Sequence, residues 1–198
     1  MRAARIVLWA LVAVVAVGLG ALAFQAARGP DAGASLTRVA DIGGPFALVN
    51  QRGETVTRDD LLGRPHAVFF GYTFCPDVCP TTLYEMSQHM AALGDEAPEV
   101  VFVSVDPERD TPEVLSKYVG YFDERILALT GSREAVDEAV RAYRAYYKIH
   151  EPDEDGDVLI DHTASVYLFG ADGAFEGTIA YGEAADTARA KLERLVEA

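Results

Sequence analysis

Cysteine is scarce in this chain, with two in 198 residues, so a disulfide-dense scaffold is excluded. Positive charge is scarce as well: 17 Lys and Arg stand against 31 Asp and Glu, a balance of −14. Nucleic-acid binders carry basic faces, so that class is excluded and no nucleic-acid partner is expected. No cysteine lies near residue 24, which excludes a bacterial lipoprotein anchor there. There is no internal repeat, and the composition is neither disordered nor fibrous. What remains is a chain that is 50% hydrophobic, long enough for one domain with its own core and an appendage.

The charge is unevenly placed. Residues 1–30 hold Arg2, Arg5 and Arg28 and no acid, leaving 14 basic and 31 acidic groups beyond, a balance of −17. After Arg5 comes an uncharged run of 19 residues, Ile6 to Phe24. As a helix it measures about 28 Å, close to the hydrocarbon thickness of a bilayer. Two arginines ahead of it and only Arg28 soon after place the N-terminus in the cytoplasm and the body outside. The rival reading is a cleaved secretory signal, because Ala21-Leu22-Ala23 satisfies the small-x-small pattern. Both readings export the body, and the run exceeds the usual signal core, which favours an uncleaved anchor. The expected location is the bacterial inner membrane, single-pass, with the C-terminal domain in the periplasm. Residues 25–45 are rich in Ala and Gly, include Pro30 and Pro45, and read as a flexible tether.

From Phe46 onward the patterning turns globular. Phe46–Asn50 and Thr55–Thr57 flank Gln51-Arg52-Gly53 as a short hairpin, and Leu61-Leu62-Gly63 suggests a helical turn. His66–Tyr72 and Val100–Val105 are continuous apolar runs, the mark of strands covered on both faces. Helical spacing at Leu83, Met86, Met90 and Leu93 predicts a helix over 80–93, with Pro80 in a first helical position. Further helices are expected at Pro112–Val119, Arg133–Tyr147 and Ala184–Val196. Strands are expected at Ile126–Leu129, Ser165–Phe169 and Phe175–Tyr181. This order is an α/β fold with a mixed central sheet, a fit for the thioredoxin architecture among others.

Cys75 and Cys79 stand between a predicted strand and a predicted helix, in Gly71-Tyr-Thr-Phe-Cys-Pro-Asp-Val-Cys-Pro80. Thiols at a helix N-terminus meet unpaired N–H groups that favour thiolate. Three intervening residues let the sulfurs close a disulfide or chelate a soft ion, and Asp77 between them favours a bound cation. A structural disulfide is the plainer reading, but so small a loop restricts the unfolded chain little. Of the four histidines, His66 opens a strand and reads as core. His89 lies ten residues beyond Cys79, about 15 Å along a helix, and reads as surface. His150 borders the acidic stretch Glu151–Asp157, a solvated excursion. His162, in a loop just before the strand at 165–169, is placed by thioredoxin topology across the cleft from the cysteines. Its two readings are ligand and hydrogen-bonded structural group. Two thiolates and one imidazole suit Cu(I) in a trigonal site and also hold Cu(II), whereas zinc wants a fourth donor.

These residues resemble the Sco/SenC family of membrane-anchored copper proteins. The likeness is carried by Gly71–Thr81, by Val105-Asp-Pro-Glu-Arg-Asp-Thr111, and by Asp161-His162-Thr163 ahead of Tyr167-Leu168. The resemblance implies a thioredoxin-like fold that binds one copper through Cys75, Cys79 and His162. It also implies a part in maturing the CuA centre of cytochrome c oxidase. The implied division is 1–24 as anchor or signal sequence, 25–45 as tether, and 46–198 as a thioredoxin-like copper-binding domain. Gly170-Ala-Asp-Gly173 departs from the family's usual Asp-Pro turn, in a hairpin remote from the ligands. Asp106 and Asp110 have a functional reading, behind the copper, orienting His162 or contacting a partner; against it, Asp110-Thr111-Pro112 reads as a helix cap with Asp110 as the capping residue, and Asp106 is left undecided.

Two functions compete. One is a copper chaperone whose partners are the copper-accepting subunit of cytochrome c oxidase and another copper carrier, with the membrane engaged by the N-terminal helix. The other is a thiol–disulfide oxidoreductase that uses Cys75 and Cys79 as a redox pair on the target's cysteines and can spare His162. Peroxide reduction, a third possibility, lacks the expected arginine and threonine about a single cysteine.

Overall fold

The computed structural model describes Trp9 and residues 42–197. Apart from Trp9, the apolar run lies outside the described residues, as does nearly all of the expected tether. Among the described residues no helix is long and apolar enough to cross a membrane.

Residues 42–197 build nine strands and four α-helices: β1 Ala47–Asn50, β2 Thr55–Thr57, β3 His66–Gly71, α1 Val78–Leu93, β4 Glu99–Ser104, α2 Pro112–Gly120, β5 Leu127–Thr130, α3 Arg133–Ala142, β6 Tyr147–Ile149, β7 Ile160–His162, β8 Val166–Phe169, β9 Phe175–Ile179 and α4 Ala185–Glu197. Seven strands form one sheet in the order β2-β1-β5-β4-β3-β8-β9, while β6 and β7 make a separate two-stranded ribbon. The middle of the sheet is parallel, β3 on β4 and β4 on β5, with antiparallel strands on both sides. Every residue of β3 is buried, as its unbroken apolar run requires of a strand covered on both faces.

Neighbouring residues of a strand face opposite ways, and β3 divides the aromatic core accordingly. Phe69 meets Phe102, which in turn meets Tyr118. Phe70 meets Tyr143, which also contacts Phe46 and Phe169. His66 is buried as expected, its ring stacked 5.1 Å from that of Phe169. Helix α4 packs against α1, β8 and β9.

Several boundaries differ from the sequence reading. Helix α1 starts at Val78, so Pro80 is its third residue and Cys79 lies inside the first turn. The helix expected to run to Tyr147 stops at Ala142, because Arg144 takes a positive φ of 51° and the chain turns into β6. The turn expected at Leu61–Gly63 is a 3₁₀ helix three residues earlier, Arg58–Leu61. Thr111, not Asp110, caps α2, its hydroxyl accepting from the Val114 N–H.

Gly71 closes β3 where α1 comes nearest. A Cβ there would lie 2.5 Å from Cys79 Sγ and 2.9 Å from a Phe102 ring carbon. Only glycine lets the cysteine sulfur press onto the strand. We expect Gly71→Ala to lower the unfolding free energy by about 1–3 kcal/mol, the usual cost of forcing an extra methyl into a packed core. Urea unfolding of the reduced protein measures it; an unchanged midpoint would mean that the helix start retreats freely.

Candidate metal centre

Beyond β3 the chain turns tightly, with the Cys75 N–H donating to the Tyr72 carbonyl at 3.3 Å. It then enters α1, whose first N–H groups have no partner within the helix. Cys79 uses its free N–H on Cys75 Sγ, at 3.4 Å. The helix start thus places both sulfurs at one point and points a backbone donor at one of them.

The third group arrives from the ribbon. His162 ends β7, and its Nε2 lies 3.2 Å from Cys79 Sγ and 3.8 Å from Cys75 Sγ. All three donor atoms fall within 4.8 Å of one another. Donors about 2.0–2.3 Å from a shared ion stand about 3.5–4 Å apart in a trigonal plane, so the cluster fits a single three-coordinate ion. His162 Nδ1 is 3.1 Å from the Thr163 carbonyl. A carbonyl only accepts, so the ring proton sits on Nδ1 and the Nε2 lone pair is left for a metal. The rings of Tyr72 and Phe69 meet the imidazole edge-on at 5.8 and 5.9 Å and hold its plane.

The two cysteines are unequal. Cys79 is fully buried and Cys75 only partly so; both are free thiols. The Cys79 thiol, the largest influence, holds Cys75 far below the ordinary thiol range. The Asp77 and Cys79 N–H groups add to this, against the opposing effect of burial. Burial, and then the charge on Cys75, push Cys79 up. The pair titrates as one thiolate bonded by one thiol.

Of the remaining histidines, His150 pairs with Asp161 at 2.8 Å, next to the site but outside the donor cluster. His89 is buried instead of surface, 6% exposed, because α4 covers a second face of α1. His162 lies in a strand, not a loop, since Tyr147 pairs with it across the ribbon.

Two further residues shape the centre: Asp110, which the sequence favours as a helix cap over a place behind the metal, and Arg109, which it does not single out. Asp110, fully buried, accepts from the Thr73 N–H at 3.0 Å, the Thr73 hydroxyl at 2.6 Å and the Ser104 hydroxyl. It ties the cysteine loop to the end of β4. Arg109 pairs with Asp106, donates to the Val158 carbonyl at 2.9 Å, and lies 4.8 Å over the Phe74 ring and 5.8 Å over that of Tyr72. It fastens the acidic excursion to the cysteine loop. The Tyr72 hydroxyl holds the ribbon directly, accepting from the Ile160 N–H at 3.2 Å.

A mixed sheet carrying a strand–Cys–x–x–x–Cys–helix mouth and a histidine from across the cleft defines a thioredoxin-like metal-binding domain. A family model described as SCO1/SenC matches residues 34–197, and the chain belongs to that family. It is 46% identical over 140 residues to the human mitochondrial Protein SCO1 homolog, covering 68% of this chain and 46% of that one. The chain thus spans about half the length of that relative. Bradyrhizobium japonicum ScoI, solved with copper bound, superposes with a TM-score of 0.72 at 42% identity over 78% of this chain and 99% of its own. That solved chain is matched over nearly its whole length by the 78% of this chain that superposes, so in that relative the fold is complete at that extent. BsSco, described as a member of the Sco family of cytochrome c oxidase assembly proteins with a disulfide switch, superposes with a TM-score of 0.63 at 25% identity, covering 80% of this chain and 95% of its own.

Two outcomes are expected. With limiting iodoacetamide at pH 6, the lowered Cys75 thiol is alkylated at least about tenfold faster than Cys79, as peptide mass spectrometry would read; equal labelling would remove the asymmetry. Asp110→Ala leaves two hydroxyls and an N–H unpaired inside the core and costs about 2–4 kcal/mol in urea unfolding.

Proposed function

We propose that the exported body binds one copper ion through Cys75, Cys79 and His162 and hands it on during assembly of the CuA centre of cytochrome c oxidase. The observation that carries this reading is the meeting of two sulfurs and one imidazole nitrogen, all within 4.8 Å, on a His tautomer that presents its lone pair. Soft sulfur donors with one nitrogen, three in number, match Cu(I) better than zinc. Support also comes from the copper-bound ScoI and from the assembly role stated for BsSco's family.

The cargo has a way out. Cys75 and His162 lie on a cleft of about 430 Å³ bordered by Pro76, Asp77 and Leu159, while Cys79 sits beneath. A body with a balance of −17 draws a basic partner face, with an attraction that weakens as salt rises. The partners are the copper-accepting oxidase subunit and a copper carrier upstream. The N-terminal run holds the body at the outer face of the bacterial inner membrane.

A second reading is favoured by the inequality of the cysteines. The Cys75 thiolate attacks a target disulfide and expels one target thiolate, which takes a proton. Cys79 then loses its proton and attacks the Cys75 sulfur, freeing the second target thiol and leaving a Cys75–Cys79 disulfide.

Anaerobic Cu(I) titration of reduced residues 31–198 against a competing chelator separates the two. We expect one equivalent bound, and His162→Ala weaker by at least about 100-fold, the upper end of what loss of a mere outer partner costs. Unchanged affinity in the variant would take His162 out of the site, and no binding by the parent would leave the redox pair alone.

A further inference from the structure

A cavity of about 170 Å³ lies between α1, the start of β8, the end of β9 and α4, outside the donor cluster. Its lining is mainly apolar, from Met86, Val166, Ile179 and Ala188, with Tyr84 and Tyr181 among the walls. A cavity of about 150 Å³ accommodates benzene, so this one takes a single aromatic ring. Two lining side chains, Thr82 and His89, are 5% and 6% exposed, and Thr82 Oγ1 and His89 Nδ1 have no hydrogen-bond partner. Buried polar atoms left unpaired cost about 1–3 kcal/mol each, which makes them the places where a ligand gains most.

We propose that this cavity binds a neutral, phenol-sized group whose hydroxyl partners Thr82. The chemistry follows from the lining. The charges in the lining are of both signs, Glu85 and Glu183 against Arg189, with Glu183 already paired with Lys191, so the lining selects neither an anion nor a cation. Burial, and then Arg189, lower the His89 pKa against the opposing charge of Glu85. A hydroxyl, donor and acceptor at once, pairs with the threonine hydroxyl in either sense, while His89 stands two turns further along α1. Two tyrosines and a methionine favour an aromatic face over an aliphatic one.

The cavity adjoins the metal centre. Thr82 is three residues past Cys79 in the same helix and Ala164 two past His162, while the Tyr181 hydroxyl donates to Asp77 at 3.4 Å. A free phenol and a tyrosine side chain of a protein docked at the cleft present the same group, and the test separates them.

Reduced, metal-free residues 31–198 are titrated with p-cresol, toluene and N-acetyl-tyrosine amide, followed by amide chemical shifts. The titration is independent of copper binding. We expect p-cresol to shift the Thr82, His89 and Ala188 amides and to bind about 5–10-fold tighter than toluene, the worth of one hydrogen bond. In Thr82→Val that preference falls toward one. Ala185→Leu, an exposed change on the cavity's edge, abolishes the shifts with the rest of the spectrum intact. If N-acetyl-tyrosine amide shifts the same amides, the proposal stands with a partner's tyrosine as the source; if p-cresol alone does, it stands with a free phenol. Absence of binding, shifts elsewhere, or equal affinity for p-cresol and toluene overturns it.

Discussion

The centre rests on one buried carboxylate. Asp110 is fully enclosed, and burial pushes its pKa up even though it accepts from Thr73 and Ser104. Enclosing an acid is costly unless the surroundings supply donors, and here the donors are the loop that must be held. Release of Thr73 would free the turn that carries Phe74 and Cys75. Release of Ser104 would also loosen Asp106, whose N–H donates to the same hydroxyl at 3.0 Å. Asp106 in turn is paired with Arg109. The acidic stretch before Arg109 and the cysteine loop are therefore one polar network, and the metal donors sit on its surface.

On that network the two halves of the site are joined by unlike forces. The cysteines are set by backbone: a turn, a helix start, and a glycine that lets sulfur touch the strand. The histidine is set by side chains. Tyr72 and Phe69 pack on its ring, the Tyr72 hydroxyl holds Ile160, and Thr163 bonds Tyr146 through both its N–H and its hydroxyl. Arg133 braces the other strand of the ribbon, reaching the Tyr147 hydroxyl and the Val105 carbonyl.

Much of this was legible in the sequence where the signal was local. The apolar runs of β3 and β4, the spacing of α1, and the pair Cys75 and Cys79 between them all read directly. So did the position of His162 opposite the cysteines, once thioredoxin topology was assumed. The ribbon was hidden because its strands are three residues each and separated by ten, half of them acidic. Tyr143 and Tyr147 also keep a helical interval across the break at Arg144. Asp110, Thr111 and Pro112 are all residues of helix starts, and nothing in their order tells which one is buried. The reach of Arg109 to a carbonyl 49 residues on leaves no mark in the sequence. His89 was misread because one helix's period shows the face turned to the sheet, not a second face covered by α4.

Two donors belong to a helix rooted in the main sheet, and the third to a two-stranded ribbon that is no part of that sheet. A change confined to the ribbon therefore bears on one donor and leaves both sulfurs where the helix start puts them. The two kinds of donor answer to different parts of the chain, so nitrogen and sulfur can be tuned separately by substitution in the ribbon or in the cysteine turn.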